Sequence, residues 1–465
     1  MTVEPPTPAS QPLAFHITPR PGRWLNDPNG PVFWEGQYHL FHQPNWAHAV
    51  SDDLARWTVL DIALPPTPGG PDRGGAWSGS VVGHEGRAWA IYTGADETAA
   101  EQVVCVASAE GVLTEWQKVP SPVIAAPPDG VATLGWRDPY VFRHAGRWLC
   151  VIGGGVPGRA QALLYSSADL RSWTYEGLLY ERESAPDDAD FSGELWECPF
   201  FVPLDGGFLL GISVWYRNEP FHTVGFVGKF DGHTFAPASL ERLDHGPDYY
   251  APTAMVAPDG RCIVWGWAWE AHAPGTSAYN RGGALTVARH VALVDGRLDV
   301  QPVEELATLR TRRLERRDRP VVPDEDVTLV SDAGIAFDLE LTAVVAPGAR
   351  LEIELLATPD GRERTVVYLD GTTREAALDT QHTALTGDGV RGRFAVPSTA
   401  GGDQVAVRVL RDGTLLEVFI DGRAFTVRVA PTLADATEIR LTARGGDVPV
   451  TVGVWQMAHD AIAFA

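Results

Sequence analysis

A short segment that ends in tryptophan recurs along the first half of the chain, and it restricts the fold more than any other feature. S-D-D-L-A-R-W at residues 51–57 returns as S-A-D-L-R-S-W at residues 167–173, and a looser copy lies at residues 108–116. The copies are roughly 60 residues apart, and a fixed period of this length indicates stacked structural units. Each unit has room for about four short strands and their turns.

Alternation of polar and apolar residues supports strands within these units. Residues 37–42, 87–92 and 147–152 alternate in this way, and a further hairpin-like segment follows at residues 230–235. Such alternation is typical of half-buried strands. Up to about residue 300 the period leaves room for five units. We therefore predict a five-bladed β-propeller over residues 1–310.

The composition and the residue pattern of the sequence change after about residue 320. Prolines become rarer, long alternating segments appear at residues 350–355 and 414–422, and Asp-Gly turns separate them. This pattern predicts a β-sandwich over residues 329–465. Leucines at 306, 309 and 314 indicate a helical connector over residues 303–317, with a linker at residues 311–328. The predicted fold class is all-β.

The charge of the chain limits its partners. Its 465 residues carry a net charge of −23, which opposes binding to nucleic acid and to anionic membranes. No uncharged apolar run is long enough to span a bilayer. Residues 1–12 are proline-rich and lack the pattern of a signal peptide, so the predicted location is cytoplasmic. The sequence leaves the oligomeric state open.

No cofactor or metal is predicted. The four cysteines lie far apart and form no C-x-x-C pair, which favours buried free thiols over a zinc site. The histidines at 39, 42 and 48 fit strand and turn positions better than metal ligation.

The stretch W-L-N-D-P-N-G at residues 24–30 is the first candidate for chemistry. Pro28 favours an extended conformation at Asp27, and the following Asn-Gly pair is a strong turn signal. A carboxylate at the lip of a turn, beside a tryptophan and amide groups, suits a site that binds a polar ligand. Alone, however, such a turn is more often structural.

Two further segments repeat this combination of tryptophan, carboxylate and proline. They are W-R-D-P at residues 136–139 and W-E-C-P at residues 196–199. The ordered set N-D-P-N-G, R-D-P and E-C-P resembles glycoside hydrolase family 32, the invertase, inulinase and levanase family. That resemblance implies a five-bladed propeller followed by a β-sandwich, in agreement with the repeat.

The resemblance also implies a reaction. Glycosidases use one carboxylic acid to protonate the leaving oxygen and one carboxylate to attack or to activate water. By similarity to the family, Asp27 is the nucleophile, Glu197 is the general acid/base, and Asp138 holds sugar hydroxyls and stabilises the transition state. The implied activity is retaining hydrolysis of terminal β-D-fructofuranosyl residues in sucrose or fructo-oligosaccharides.

Substrate-binding residues follow from the same resemblance. Asn26, Gln43 and Ser78 match family positions around the fructosyl unit. Trp77 is a candidate in a segment that resembles the family's F-S-G-S, with Trp replacing Phe, and Arg137 lies beside Asp138. The family usually has a longer loop, rich in Trp and His, after the motif glutamine. Here the loop after Gln43 is short, so we predict a more open leaving-group side and a comparatively high KM for sucrose. Trp46 is the candidate to replace the missing aromatic contact, with simple packing as the alternative.

Two other functions stay open at this point. A fructosyltransferase would use the same three acids, with a sugar in place of water as acceptor. A non-catalytic carbohydrate-binding propeller is disfavoured, because all three acids are present.

Overall fold

Strands make up nearly all the regular structure of this chain. The computed structural model describes residues 13–188, 190–217, 219–270, 283–323, 325–385 and 390–465; the proline-rich stretch at residues 1–12 lies outside them. Within these ranges the one helical segment is a 3-10 helix, Glu304–Leu309. No described helix has the length and apolar character needed to cross a membrane.

The strands of residues 28–302 form five antiparallel sheets in chain order. The first sheet holds β1 (Pro28–Trp34), β2 (Gln37–His42), β3 (Ala47–Ser51) and β4 (Trp57–Ile62). The second holds β5 (Gly75–His84), β6 (Arg87–Ala95), β7 (Gln102–Ala109) and β8 (Gln117–Lys118). The third holds β9 (Arg137–His144), β10 (Arg147–Val156), β11 (Arg159–Ser167) and β12 (Trp173–Glu183). The fourth holds β13 (Leu195–Leu204), β14 (Gly207–Tyr216), β15 (Glu219–Phe230) and β16 (Phe235–Arg242). The fifth holds β17 (Tyr250–Val256), β18 (Cys262–Ala268), β19 (Ala284–Leu285), β20 (Arg289–Val294) and β21 (Arg297–Pro302).

The five sheets surround a common axis. Their first strands, β1, β5, β9, β13 and β17, contact one another in ring order, and contact between β17 and β1 closes the ring. Consecutive four-stranded antiparallel sheets around an axis form a β-propeller. The beginnings of the five first strands, which carry the motif residues, therefore converge.

The repeated tryptophan segment is the turn before the fourth strand of a sheet. In the first sheet the carboxylate of Asp53 accepts hydrogen bonds from the backbone N–H groups of Ala55 and Arg56, and the Trp57 indole donates to the carbonyl of Leu54. In the third sheet Asp169 and Trp173 make the equivalent bonds. In the second sheet only the Trp bond recurs, from the Trp116 indole to the Leu113 carbonyl. The period found in the sequence thus reflects one kind of turn, closed by an Asp and a Trp in the first and third blades.

The second half of the chain forms two six-stranded sheets around a separate hydrophobic core. Its strands are β22 (Arg310–Asp318), β23 (Asp326–Val330), β24 (Ala336–Val344), β25 (Arg350–Ala357), β26 (Thr365–Asp370), β27 (Glu375–Asp379), β28 (Arg393–Pro397), β29 (Gln404–Asp412), β30 (Leu415–Ile420), β31 (Arg423–Arg428), β32 (Glu438–Arg444) and β33 (Val450–Met457). One sheet has the order β22-β33-β24-β29-β30-β31, and the other β23-β32-β25-β26-β27-β28. The predicted fold class, an all-β protein with a propeller and a sandwich, is confirmed.

The predicted helical connector is wrong beyond residue 309. Leu306 and Leu309 are buried in a single 3-10 segment, and Arg310–Asp318 is an edge strand that pairs with β33. The Arg310 guanidinium lies 3.9 Å from the centre of the Trp455 ring and pairs with Asp338 at 2.7 Å. These cross-strand contacts and the ladder hydrogen bonds outweigh the weak helical pattern. Much of the predicted linker at residues 311–328 therefore belongs to the sandwich.

Both ends of the described chain join the two halves. The last strand, β34 (Ile462–Phe464), returns from the sandwich and adds to β4 as a parallel fifth strand. Near the beginning, the backbone N–H groups of residues 14–16 donate to the carboxylate of Asp412 in the sandwich. Both ends of the described chain therefore add links between the halves beyond the connecting chain itself.

Candidate active site

All five first strands are irregular close to their beginnings. The register of each with its neighbour shifts near Asn29–Val32, Ala76–Gly79, Arg137–Tyr140, Glu197–Phe200 and Tyr250–Thr253. Prolines lie at four of these shifts, at positions 31, 139, 199 and 252. Proline cannot donate to a strand ladder, so it fits a bulge, and bulges redirect side chains. The motif prolines thus mark the points where the strands turn residues toward the axis.

The backbone is strained at three of these bulges. Asp138 has a φ of 63°, Cys198 a φ of 45° and Ala251 a φ of 48°, a region that residues other than glycine seldom adopt. Such strain persists where surrounding structure compensates for it, and it is common at functional sites. Here Asp138 is held by hydrogen bonds to Thr93 and Cys198, which lie on neighbouring strands.

A cavity of about 780 Å³ opens where the first strands begin. Eight of the nine predicted site residues line it: Asn26, Asp27, Gln43, Trp77, Ser78, Arg137, Asp138 and Glu197. They come from the first four sheets and the segments that precede them. Residues far apart in the sequence therefore share one concave surface.

Asp27 lies immediately before β1, held by groups from other sheets. The Ser78 hydroxyl donates to its Oδ2 at 3.0 Å, and the Cys198 thiol lies 3.6 Å from the same oxygen. The backbone N–H of Gln43 donates to the Asp27 carbonyl at 2.9 Å, which fixes the main chain. Ser78 and Cys198 thus orient the carboxylate through Oδ2.

Glu197 is held through both carboxylate oxygens. Arg137 donates to Oε1 from Nε at 3.1 Å and from Nη2 at 2.5 Å. The Tyr250 hydroxyl donates to Oε2 at 2.8 Å. Charge-assisted bonds of this kind are short and directional, so the carboxylate has one defined orientation.

Asp138 bridges the third and fourth sheets. Its Oδ2 accepts a hydrogen bond from the backbone N–H of Cys198 at 2.9 Å, and its own N–H donates to the Thr93 hydroxyl at 2.8 Å. The Arg137 Nε lies 3.9 Å from Oδ2. Asp138 therefore faces the cavity from a rigid, largely buried position.

The site raises the pKa of two of its acids. Burial, together with the negative charges of Glu197 and Asp138, raises the pKa of Asp27 to about 7, although the Ser78 hydrogen bond lowers it. Burial also raises the pKa of Asp138 to about 6; the Arg137 charge lowers it and the Glu197 charge raises it. Closely spaced buried carboxylates titrate as a group, so proton uptake at one changes the others.

Trp46 does not line the cavity, contrary to its predicted contact with substrate. It is fully buried, and its ring packs against Phe41 and Tyr92, with centroids 5.3 Å and 6.1 Å away. Its indole N–H donates to the Trp77 carbonyl at 2.9 Å. The tight turn after Gln43 directs Trp46 inward, where it supports the backbone of a lining residue and cannot touch a sugar.

Several lining residues were not selected from the sequence. They include Trp24, Asn45, Gln102, Leu134, Glu194 and Trp215. Trp24 belongs to the same heptapeptide as Asp27, so its position was an available signal, but the others carry no motif. Tyr250 also stands apart: it bonds Glu197, whereas its neighbour Tyr249 packs under the Arg289 guanidinium at 4.8 Å.

Comparison with known proteins identifies one family over nearly the whole chain. The model of the "Glycosyl hydrolases family 32 N-terminal domain" matches residues 16–302, and that of the "Glycosyl hydrolases family 32 C terminal" matches residues 305–456. The sequence is 32% identical to the sucrose-6-phosphate hydrolase of Escherichia coli, over 95% of this chain and 94% of that protein. It is 31% identical to the raffinose invertase of Escherichia coli, with the same shares covered.

A solved structure shares the fold. Fructan 1-exohydrolase IIa from Cichorium intybus, in complex with 1-kestose, superimposes with a TM-score of 0.83 over 98% of this chain and 99% of that one. Only 22% of the residues are identical, so this likeness concerns the fold.

Proposed function

Because the chain belongs to glycosyl hydrolase family 32 and is a β-fructofuranosidase that hydrolyses sucrose or fructans, we propose that Asp27, Asp138 and Glu197 carry its reaction. The observation that supports this assignment is their convergence: three carboxylates from separate segments line one cavity, together with Arg137. Retaining glycosidases need two such groups, one as nucleophile and one as acid and then base.

Asp27 is the proposed nucleophile. Its carboxylate attacks the anomeric carbon of the fructosyl unit, and a covalent fructosyl-enzyme forms as the bond to the leaving oxygen breaks. The Ser78 hydroxyl, which binds Oδ2, holds the carboxylate in place and favours its charged form. Because Ser78 binds Oδ2, Oδ1 is the proposed attacking atom.

Glu197 is the proposed general acid and base. It gives its proton to the leaving oxygen in the first step and takes one from water in the second. Arg137 and Tyr250 orient the carboxylate through Oε1 and Oε2. The Glu197 carboxylate therefore has a fixed position in the cavity when it gives or takes the proton.

Asp138 is the proposed holder of sugar hydroxyls and stabiliser of positive charge. Its orientation is fixed by bonds to Cys198 and from its own N–H to Thr93. A fixed negative charge near an oxocarbenium-like transition state stabilises that state more than the neutral substrate.

Asn26, Gln43, Trp77 and Ser78 complete the proposed fructosyl site. The Asn26 Oδ1 has no hydrogen-bond partner among the described residues, so it is available to a sugar hydroxyl. The Gln43 side chain already makes hydrogen bonds within the protein: it donates to the Ala76 carbonyl and accepts from the Asn45 N–H. Gln43 therefore shapes the wall, and Asn26 supplies the contact.

The proposal includes a cytoplasmic location. All four cysteines are free and buried, which is the usual state in reducing compartments. Activity that sediments with membranes, or that is found outside the cells, would contradict this part.

The test is Asp27→Asn, with Asp205→Asn as a matched control. Asp205 lies in the turn after β13, at the opposite end of that strand from Glu197. An amide cannot form the fructosyl-enzyme, so we expect Asp27→Asn to reduce kcat on sucrose, inulin and levan by at least about 10³-fold. Circular dichroism and Tm check that each variant folds. Near wild-type turnover by a folded Asp27→Asn protein would remove Asp27 from the mechanism.

A further inference from the structure

The charges that line the cavity are strongly unequal. Four carboxylates line it: Asp27, Asp138, Glu194 and Glu197. Arg137 is the one cation among the described lining residues. Where these carboxylates are ionised, a substrate that carries its own negative charge meets a negative surface, and like charges in a partly enclosed site repel strongly.

Arg137 is not free to neutralise an added anion. Both its Nε and its Nη2 donate to Glu197, and its guanidinium lies over the Trp215 ring at 5.7 Å. Its side chain is only 12% exposed. A phosphate that recruited Arg137 would therefore remove the group that orients the acid/base.

Glu194 lines the cavity close to Glu197, the proposed acid/base. The acid/base must face the leaving oxygen, and Glu194, Leu195 and Trp215 form the wall next to Glu197. The backbone N–H of Glu194 donates to the Trp215 carbonyl, and one carboxylate oxygen accepts from the backbone N–H of Arg217. No ion pair to Glu194 is found in the described part of the chain, so its charge remains.

The cations near the rim, Arg23, Arg73 and Arg217, are not among the residues that line the cavity. Arg73 precedes the lining residue Gly74, but it is engaged by Asp96, Glu97 and Glu101 at 3.8, 2.9 and 3.3 Å. The Arg217 guanidinium lies over the Tyr216 ring at 5.0 Å. Arg23 precedes Trp24 and is not among the residues that line the cavity.

We propose that this enzyme selects a substrate with an uncharged leaving group, and that Glu194 disfavours a phosphorylated one. The inference rests on the proposed function and narrows it from sucrose and its phosphate esters to unphosphorylated saccharides. It separates this chain from the Escherichia coli relative, whose name refers to sucrose 6-phosphate. The phosphate of that sugar is on the glucosyl leaving group and carries close to two negative charges at neutral pH.

The experiment compares kcat/KM for sucrose and for sucrose 6-phosphate in the wild-type enzyme and in Glu194→Gln. For the wild type we expect a ratio of at least about 100 in favour of sucrose, or about 2.7 kcal/mol. Glu194→Gln should lower that ratio by about three- to tenfold, chiefly through the KM for sucrose 6-phosphate. A merely structural role of Glu194 would reduce activity on both substrates and leave the ratio unchanged.

Two controls isolate the electrostatic cause. Asp205→Asn removes the same charge from the far end of β13 and should leave the ratio as in the wild type. Raising the ionic strength from about 0.01 M to about 1 M shortens the Debye length from about 30 Å to about 3 Å, and so should reduce the wild-type preference.

The outcomes are distinct. Equal or better kcat/KM on sucrose 6-phosphate, or a ratio that Glu194→Gln does not change, overturns this inference and leaves the proposed function intact. A folded enzyme that hydrolyses neither sugar, nor inulin or levan, overturns the proposed function itself.

Discussion

At the residue scale, the ionisation of Asp27, the proposed nucleophile, should set the lower pH limit of activity. A nucleophile must be a carboxylate, yet burial and two neighbouring acids raise the pKa of Asp27 to about 7. Below that pH the protonated, unreactive form dominates in the free enzyme. We therefore expect kcat/KM to fall as the pH decreases through about 7, as an initial-rate profile with sucrose would show.

Ser78 provides a directed test of this limit. Its hydrogen bond lowers the pKa of Asp27, so its loss in Ser78→Ala should raise that pKa and move the acidic limb to higher pH. At pH 6 we expect kcat/KM to fall by a further two- to tenfold or so relative to pH 8, the order expected for one hydrogen bond. Ser80→Ala, which removes a hydroxyl bonded to the Pro139 carbonyl, is the control. An unmoved limb in Ser78→Ala would show that another group sets it.

The second residue-scale prediction concerns Glu197. General acid catalysis matters most for a basic leaving oxygen, so Glu197→Gln should lose about 10²- to 10⁴-fold in kcat/KM on sucrose. A β-fructofuranoside with an activated aryl leaving group should lose far less. Equal losses on the two substrates would assign the proton transfer to another residue.

At the element scale, the first strands determine the site. Their bulges turn Asp138 and Cys198 toward the axis, and Gly30 permits close approach: a Cβ there would lie 2.7 Å from Val81 and 2.9 Å from the Trp46 ring. Trp46 thus packs directly beneath β1, in the space left by the glycine. The lining of the cavity therefore depends on the packing of Gly30 and Trp46, which do not line the cavity themselves.

Trp46 and Trp24 should therefore respond differently to substitution. Trp46→Ala empties a fully buried site and should lower the free energy of unfolding by about 3–5 kcal/mol. Trp24 lines the cavity and is 47% exposed, so Trp24→Ala should mainly raise KM. Chemical denaturation and initial rates of both variants make the comparison. A stable Trp46→Ala enzyme with a raised KM would restore the direct contact predicted from the sequence.

At the scale of the whole molecule, a buried charged network joins the two domains. His16 donates from Nδ1 to Asp412 and from Nε2 to Glu417, each at 2.9 Å. Arg289 of the propeller pairs with Glu417 at 2.5 Å and with Asp244 at 2.8 Å. All five side chains are at most 1% exposed. Breaking such a pair leaves a buried charge without its partner, which is costly.

This network predicts a pH-dependent stability. Burial lowers the pKa of His16, but its bonds to Asp412 and Glu417 outweigh that effect and raise it. The stabilisation is therefore complete below the unfolded pKa of about 6.5 and is lost as the pH rises through the raised folded value. His16→Gln should cost about 3–5 kcal/mol at pH 6, and less at higher pH.

Thermal unfolding across pH measures this effect, with His233→Gln as control because His233 is 61% exposed. Because both termini and the network connect the domains, we expect one cooperative transition. Proteolysis between residues 310 and 330 should be slow, since β22 is hydrogen-bonded to β33. Two separate transitions in the wild type would contradict this.

The sequence by itself determined the class of fold, and it singled out the three acids that line the cavity. The repeated turn depends on local bonds of Asp53 and Asp169 to nearby backbone, so its period survives in the sequence. The motif prolines mark bulges for the same local reason. Strand alternation and turn residues likewise act over a few positions, so they can be read without a structure.

Only the tertiary structure decided what depends on distant partners. The sequence could not decide whether Trp46 contacts a sugar or packs in the core. Its burial is determined by Phe41, Tyr92 and the first strand, and not by its neighbours in the sequence. Glu194 and Trp215 reach the cavity through the meeting of β13 with β14. Residues 310–318 became a strand because β33, far along the chain, offered an edge. Local patterns determine elements, whereas long-range packing determines which side chains share a surface.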